Sequence, residues 1–564
     1  MLALATAALL LHAMPAAAQS LPSAARPAVA PEALTPPAPA APGGLDLVTA
    51  PAGQPPTGAE SVKLTLSALA VDGSTVYDAE TLSAFYAGKI GTEVSLADIF
   101  AIAAAIEAAY RSDGYFLTRV VVPAQRIEGG AVKLVVVEGY IHSVAVVGDA
   151  GGSLDLVKDM AARISEDRGP ARLATVERQL LLINDLPGIS ARGVLSPVAG
   201  ERGASQLTIE VGHKAMDGFV AVDNRSSDLL GPWGATASAG VNSLTGMGER
   251  LDLVLFSSVF SDHQRLAQVS GDIALGSDGL RLRAYAGYAP GRPGGALQVL
   301  DVETAATRFG LSLAYPVLRG RTLSLSTRAA FDWLDEDDEL LGVTNTSDRL
   351  RVLRLFADGE YHDEWAGVTR ASLGLHMGVD AFGATTADDR NRSRVDGDGT
   401  FEKATLEVSR LQGLFSGEFG SLNLFVEATG QYAPGALLAD EEFRLGGYRF
   451  GRGYTPGEIS GDRALGASAE LQLNGIIDHS DEAGQFHLPF QLYGFYDAGK
   501  VWDQGRTEIS SAALTSAGAG VRLYVGDSIQ GEIEVAKPLT RDRGDRSDDD
   551  KRNPGVFLRL VGSF

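Results

Sequence analysis

The stretch TLSLSTRAAFDW, from Thr322 to Trp333, alternates residue by residue. Leu323, Leu325, Thr327, Ala329, Phe331 and Trp333 fall on one face of an extended chain, and Thr322, Ser324, Ser326, Arg328 and Asp332 on the other. One face suits lipid and the other suits water. The same period recurs between Lys214 and Phe564, at Leu251–Phe256, Leu280–Tyr288, Arg308–Tyr315, Leu422–Val426 and Gly518–Tyr524, with no convincing amphipathic helix between them. A tilted strand crosses a bilayer in about 9–11 residues. Sixteen such strands use about 160 residues and leave about 190 for fifteen connections, enough for short turns at one end and long loops at the other. A soluble sandwich or propeller would alternate in the same way, so periodicity alone leaves both open.

Composition narrows the field. The 564 residues include no cysteine, which excludes a disulfide framework, a Cys-ligated metal and a cysteine nucleophile. With 48 basic against 71 acidic side chains the net charge is −23, a poor match for nucleic acid. The apolar run Leu2–Leu11, followed by small residues up to Ala18, reads as a signal peptide over 1–18, although the first basic residue is Arg26. Residues 19–58 hold ten of the 24 prolines and read as an extended, mobile linker. No apolar stretch after Leu11 is long enough for a spanning helix.

Between Ser61 and Val211 the pattern switches between periods 2 and 3.6. Val62, Leu64 and Leu66 alternate as a strand. Ser95, with Asp98 three residues on, opens a helix through Leu96, Ile99, Ala103, Ile106 and Tyr110, which Asp113-Gly114 stops. Strands follow at Leu117–Val122 and Val132–Val137 around a Gly129-Gly130 turn. A second unit repeats this order, with a strand at Ile141–Val147, helices near Leu154–Ser165 and Leu173–Asn184, and strands near Ile189–Leu195 and Leu207–Val211. Each unit leaves a sheet edge that can accept an extended segment from another chain.

Gly114-Tyr115, Pro123-Ala124-Gln125, Gly130 and Val137-Glu138-Gly139 occur in the order that recurs in the first polypeptide-transport-associated (POTRA) domain of two-partner secretion transporters, the haemolysin-activator type. The chain resembles that family from about Ser61 to Phe564. The resemblance implies a transmembrane antiparallel β-barrel of about 16 strands at 214–564, preceded by two periplasmic α/β POTRA domains at 59–139 and 140–213. Val556, Leu558, Leu560 and Phe564 share one face, which resembles the signal by which outer-membrane barrels are recognised for assembly.

Two further motifs lie in the last third. Phe443-Arg444-Leu445-Gly446-Gly447, followed by Gly451-Arg452-Gly453-Tyr454, resembles the family's sixth-loop signature (Val/Ile)-Arg-Gly-(Tyr/Phe), with Gly451 replacing the usual Val or Ile. Phe495-Tyr496-Asp497-Ala498-Gly499 resembles the family's Phe-x-Asp-x-Gly strand. The resemblance implies that the loop folds into the lumen and that Arg452 pairs with Asp497. A guanidinium–carboxylate pair is bidentate and directional in a way lysine cannot reproduce.

Other candidates carry less. Asp335–Glu339 and Asp548–Asp550 read as exposed loops. Asp396, Asp398 and Thr400 echo a calcium loop but lack its bidentate Glu. His362-Asp363-Glu364 reads as a polar loop. Gly494 to Lys500 approaches a P-loop, but Val501 has no hydroxyl and the segment reads as a strand. The expectation is therefore an outer-membrane exporter with no metal, cofactor, nucleotide or nucleic acid. Its partners would be a large β-rich exoprotein with an amino-terminal secretion domain, outer-membrane lipid and the barrel assembly machinery. An assembly factor, a passive channel and a hydrolase are the alternatives; no Gly-x-Ser-x-Gly elbow supports the last.

Overall fold

The computed structural model describes residues 21, 25, 55–166, 168–418, 420–481, 484–505, 510–539 and 553–564. The signal peptide expected over 1–18, most of the segment 19–58 and the acidic run Asp548–Asp550 lie outside these residues.

In the first α/β unit the helix Leu96–Ser112 starts where the sequence places a cap. Ser95 Oγ accepts from the Asp98 N–H at 3.1 Å, and the Asp98 carboxylate accepts from the Ser95 N–H at 2.9 Å. Ile99, Ile102, Ile106 and Tyr110 turn inward against Leu134 and Val136 of the sheet. That sheet holds Ala68–Asp72, Ala131–Val137 and Arg119–Val121, with Ala131–Val137 central, parallel to the first and antiparallel to the last. The first strand differs from the reading at Val62–Leu66. Lys63–Thr65 instead forms a separate ribbon with Glu93–Ser95, which delivers Leu66 into the core.

The second unit repeats the topology. Tyr140–Gly148 lies parallel to the central Ala204–His213, Ile189–Pro197 is antiparallel to it, and helices Leu154–Ala162 and Leu173–Asn184 cover one face.

Sixteen strands, from Met216–Asp223 to Gly555–Ser563, close into an antiparallel barrel. Leu251, Leu253, Leu311, Leu313, Leu471 and Leu473 stand exposed on the outside, while Ser468, Glu470 and Asp497 are buried inside. This inversion of a soluble protein's pattern is what lipid outside and a polar lumen inside require. Backbone bonds of 3.0 and 3.2 Å join Phe564 to Gly218, and a Cβ at Gly218 would stand 2.6 Å from the Phe564 ring.

Several strands are longer than the reading allowed, reaching 18 residues at Leu323–Leu340 and 20 at Val343–His362. Asp335–Glu339, expected in an exposed loop, is therefore strand. Its charge is tolerated because Arg349 and Arg351 lie across the hairpin, Arg349 2.9 Å from Asp337 and Arg351 2.8 Å from Asp335. The Arg351 guanidinium lies 3.4 Å from the centre of the Trp333 ring.

The α/β units sit at the rim that carries the short turns, called here the near rim. Arg319 donates to both Asp185 carboxylate oxygens, at 2.7 and 2.8 Å, and Arg178 donates to the Pro316 carbonyl at 3.1 Å. At the far rim Leu21 and Ala25 are buried with Val302, beside Leu297, Leu300 and Leu340. At these two positions the expected mobile linker is instead packed, because an apolar floor is available to it.

Candidate functional site

Residues 433–462 join Gly420–Tyr432 to Arg463–Asp481 and fold back into the lumen around a short ribbon, Phe443–Leu445 with Ile459–Gly461. Arg452 carries the tip. Its backbone N–H and Nε donate to Asp497 Oδ2 at 2.9 and 3.1 Å, and Nη2 donates to Oδ1 at 3.0 Å. Nη1 donates to Glu470 at 2.6 Å and Nη2 to Ser468 at 3.1 Å. The guanidinium carbon lies 3.5 Å from the centre of the Phe495 ring. Phe495, Asp497 and Gly499 all face the lumen because period 2 puts them on one side of Gly484–Trp502.

The glycines are required by space. A Cβ at Gly499 would stand 2.6 Å from Leu445 of the loop ribbon. Gly451 has φ +84°, and a Cβ there would stand 2.3 Å from Leu514, so Leu514 fills the room a Val or Ile would need. Gly453, at φ +95°, lies against Ala536, and the Tyr454 N–H donates back to the Gly451 carbonyl at 3.0 Å.

Side chains at this anchor are nearly closed to water, 7% exposed for Arg452 and 0% for Asp497. Removing one partner from such a pair costs about 3–5 kcal/mol, since the other charge is left buried and unpaired. A second contact is of another kind. Arg449 lies 3.1 Å from Glu407 and 3.2 Å from Glu427, and its side chain and that of Glu407 are 30% and 49% exposed. The exposed Arg449–Glu407 pair contributes about 0–1 kcal/mol, while Glu427 is 12% exposed.

The base of the loop is tied to the strands Val343–His362 and Glu402–Gly417. Glu441 lies 2.6 Å from both Arg354 and Lys403, and Arg354 also donates to Asp332 at 2.6 Å. Arg394, from the neighbouring far-rim loop, reaches Asp462 at 2.6 Å and Asp503 at 2.8 Å. Below the tip, a cavity of about 580 Å³ opens toward the near rim between Arg449, Glu407, Ser409, Glu360, Arg319 and Asp185.

The α/β motif residues serve the junction of the two units. Gly114, at φ +89°, ends the first helix, and its carbonyl accepts from the Leu173 N–H of the second unit at 2.9 Å. Arg172 donates to the Tyr115 hydroxyl at 2.6 Å and lies 4.9 Å from its ring centre. The Gly139 carbonyl accepts from Ala171 N–H at 2.8 Å, and a Cβ at Gly139 would stand 2.5 Å from the Leu117 carbonyl oxygen. Gln125 pairs with the Lys133 backbone in both directions at 2.8 Å and also donates to the Pro123 carbonyl at 3.3 Å.

Glu138 accepts from the Thr75 and Val76 N–H groups at 2.8 and 3.0 Å, from Tyr110 at 2.7 Å and from the Thr75 hydroxyl. Burial pushes its carboxyl up, and these hydrogen bonds outweigh burial to hold it below the ordinary glutamate value.

The two sheets also share an edge asymmetry. Glu107 accepts from the Val120 N–H at 3.2 Å, and Asn184 exchanges bonds of 2.8 and 3.0 Å with Ala191, so a helix side chain caps one edge strand in each unit. The outer sides of Ala68–Asp72 and Tyr140–Gly148 pair with no other strand among the described residues.

A family profile described as haemolysin secretion/activation protein ShlB/FhaC/HecB matches residues 203–523, more than half of the chain. The chain belongs to this family. A ShlB-type POTRA domain matches residues 64–139. The heme/hemopexin transporter protein HuxB of Haemophilus influenzae strain 86-028NP is 26% identical over 482 residues, 84% of this chain and 82% of HuxB. Among solved structures, CdiB from Escherichia coli aligns at TM-score 0.71 with 18% identity, covering 91% of this chain and 92% of CdiB. CdiB from Acinetobacter baumannii aligns at TM-score 0.62 with 16% identity, covering 90% and 91%. The family and its POTRA-bearing barrel make this a two-partner secretion transporter of the outer membrane.

Glu470, Glu441, Arg449 and Arg354 were not singled out in the sequence. Glu470 carried a usable signal, a charge at the lumen-facing parity of an apolar strand. Glu441 and Arg449 carried none, because loop charges are ordinary until the loop is known to sit inside.

Proposed function

We propose that the POTRA units capture an unfolded amino-terminal secretion domain of one large, β-rich partner in the periplasm, and that the barrel passes it outward without nucleotide hydrolysis. The near rim then faces the periplasm, and folding of the cargo outside biases the motion. The observation that carries this reading is the lumen loop, held by the buried Arg452–Asp497 anchor, with a cavity running from the second POTRA unit to Arg449 of that loop. A passive channel needs neither the obstruction nor the units before it. The open Ala68–Asp72 edge supports capture by strand addition, since its outer backbone groups are unpaired among the described residues. The domain limits 59–139, 140–213 and 214–564 are part of this proposal, as are contacts of the barrel with lipid and of Phe564 with the assembly machinery.

Quantitative proteomics of culture supernatant and outer membrane, with the gene deleted and restored, tests it. Loss of one or two very large secreted proteins is expected. Broad loss of barrel proteins would make the protein an assembly factor, and no change in either fraction would leave a passive channel. Deleting Ser61–Gly139 is expected to abolish cargo capture while the barrel still folds. Unchanged pull-down of cargo by that variant would remove strand addition from the mechanism.

A further inference from the structure

We propose that the near-rim cavity is the port that admits an extended polypeptide segment into the lumen, and that Arg449 is its latch, swinging off Glu407 and Glu427 while Arg452 stays on Asp497. This rests on the transport reading above.

Three observations converge. First, the cavity of about 580 Å³ runs from Asp185 of the second α/β unit to Arg449 of the loop, so the latch forms its inner end and the capture module its mouth. Second, its lining mixes Arg319 and Arg370 with Glu360 and Glu407, and adds hydroxyls such as Ser326 and Ser409. Those groups can hydrogen-bond an unfolded main chain, whose every peptide carries one donor and one acceptor, and Pro316, Leu318 and Leu325 add apolar contact beside them.

Third, the loop's attachments are unequal, and the more exposed one faces the port. Arg452 and Asp497 are closed to water, and the anchor adds Ser468 and Glu470 on the wall formed by Arg463–Asp481 and Gly484–Trp502. Arg449 and Glu407 are 30% and 49% exposed and line the cavity, Glu407 from Glu402–Gly417, while the second partner of Arg449, Glu427, is 12% exposed on the strand beside Ser468. Gly446-Gly447 and Gly451 bracket Tyr448, Arg449 and Phe450 with φ of +103°, +96° and +84°, and the Gly446 and Gly447 N–H groups donate to the Phe450 and Tyr454 carbonyls at 2.9 and 3.2 Å, so the backbone is held and the long Arg449 side chain is the part that can swing. Phe450 is buried beneath the loop, which leaves the Arg449 side chain as the part that moves first.

The absence of cysteine makes the test clean. Arg449→Cys with Glu407→Cys in the full-length protein introduces the only two thiols, which a reducible bifunctional thiol reagent can bridge. The protein is assayed for potassium chloride current in planar bilayers and, in cells, for export of large proteins to the supernatant. Heat-modifiable migration reports whether each variant barrel is folded. Bridging is expected to lower current at least tenfold and to stop export, with both restored by reductant, and Arg449→Ala is expected to raise the open frequency several-fold. A bridged protein that conducts and exports like its reduced form would overturn the latch. Current that responds to bridging in a strain where even wild type exports nothing would leave the latch standing and overturn the transport reading instead.

Discussion

The backbone N–H of Arg452 and its Nε both donate to one carboxylate oxygen of Asp497, at 2.9 and 3.1 Å. A single acceptor therefore fixes the loop's main chain and the direction of its side chain together. No surface hairpin needs such a tie; a loop crossing a wet lumen does.

Arg452→Ala is expected to leave the barrel folded and abundant in the outer membrane while export falls at least tenfold. Asp497 and Glu470 would be left buried without their shared cation, a loss of about 3–5 kcal/mol at the anchor. Arg452→Lys should recover little, because one ammonium cannot make the forked contact. Heat-modifiable migration and supernatant proteomics check both halves; normal export at normal abundance would remove the anchor from the mechanism.

Gly451→Val restores the residue usual in the resembling motif, yet it should destabilise this protein by about 1–3 kcal/mol through overpacking. The new Cβ meets Leu514 at 2.3 Å, and a β-branched residue resists φ +84°. Adding Leu514→Ala should recover part of the loss by letting the backbone relax. Thermal unfolding in detergent for the single and double variants measures the coupling, and strict additivity would show that Leu514 is not the compensating residue.

Glu138 predicts a pH response in the first α/β unit. Its carboxyl is held below the ordinary value of 4.5 in the folded state. It therefore contributes stability that is complete above the ordinary value and is lost as pH falls through the folded one. Hydrogen exchange of the full-length protein, corrected for intrinsic rates, should show the 74–76 segment opening in that acid range. Glu138→Gln should be open already at neutral pH and respond less to acid, whereas equal protection in both proteins at pH 7 would count against it.

Tyr115 is predicted to set how the two units are held together. Tyr115→Phe loses only the bond from Arg172, about 1 kcal/mol, and should leave the geometry intact. Tyr115→Ala removes a buried ring and should cost about 3–5 kcal/mol. Protease cleavage near Arg172 should rise sharply in the alanine variant alone. Equal cleavage in all three proteins would mean that the backbone bonds from Gly114 and Gly139 hold the junction by themselves.

The barrel was legible because lipid leaves a signature that short segments preserve. In Leu251–Phe256, Leu251, Leu253 and Leu255 outside, alternating with Asp252 and Val254 turned inward, read correctly in isolation. The capping box at Ser95 and the repeat of strand, helices and two strands were legible for the same local reason. Two elements misread where tertiary partners decide. Lys63–Thr65 alternates like a sheet strand but pairs elsewhere, and Asp335–Glu339 looks like a solvated loop until Arg349 and Arg351 are known to face it. At the candidate site, Arg452 and Asp497 could be named from motifs, while Glu441 and Arg449 depend on where the loop lies in three dimensions.

Strand length has one more consequence. Leu323–Leu340 has 18 residues, which at about 3.3 Å per residue and a tilt near 40° stands about 45 Å tall, against an apolar band of about 25 Å. On the proposed orientation the surplus of roughly 20 Å rises beyond the lipid as a stiff chimney. A cargo segment leaving the top would begin to fold well above the membrane plane, clear of the hydrocarbon and out among the surface sugars, where its first hydrophobic contacts are with itself.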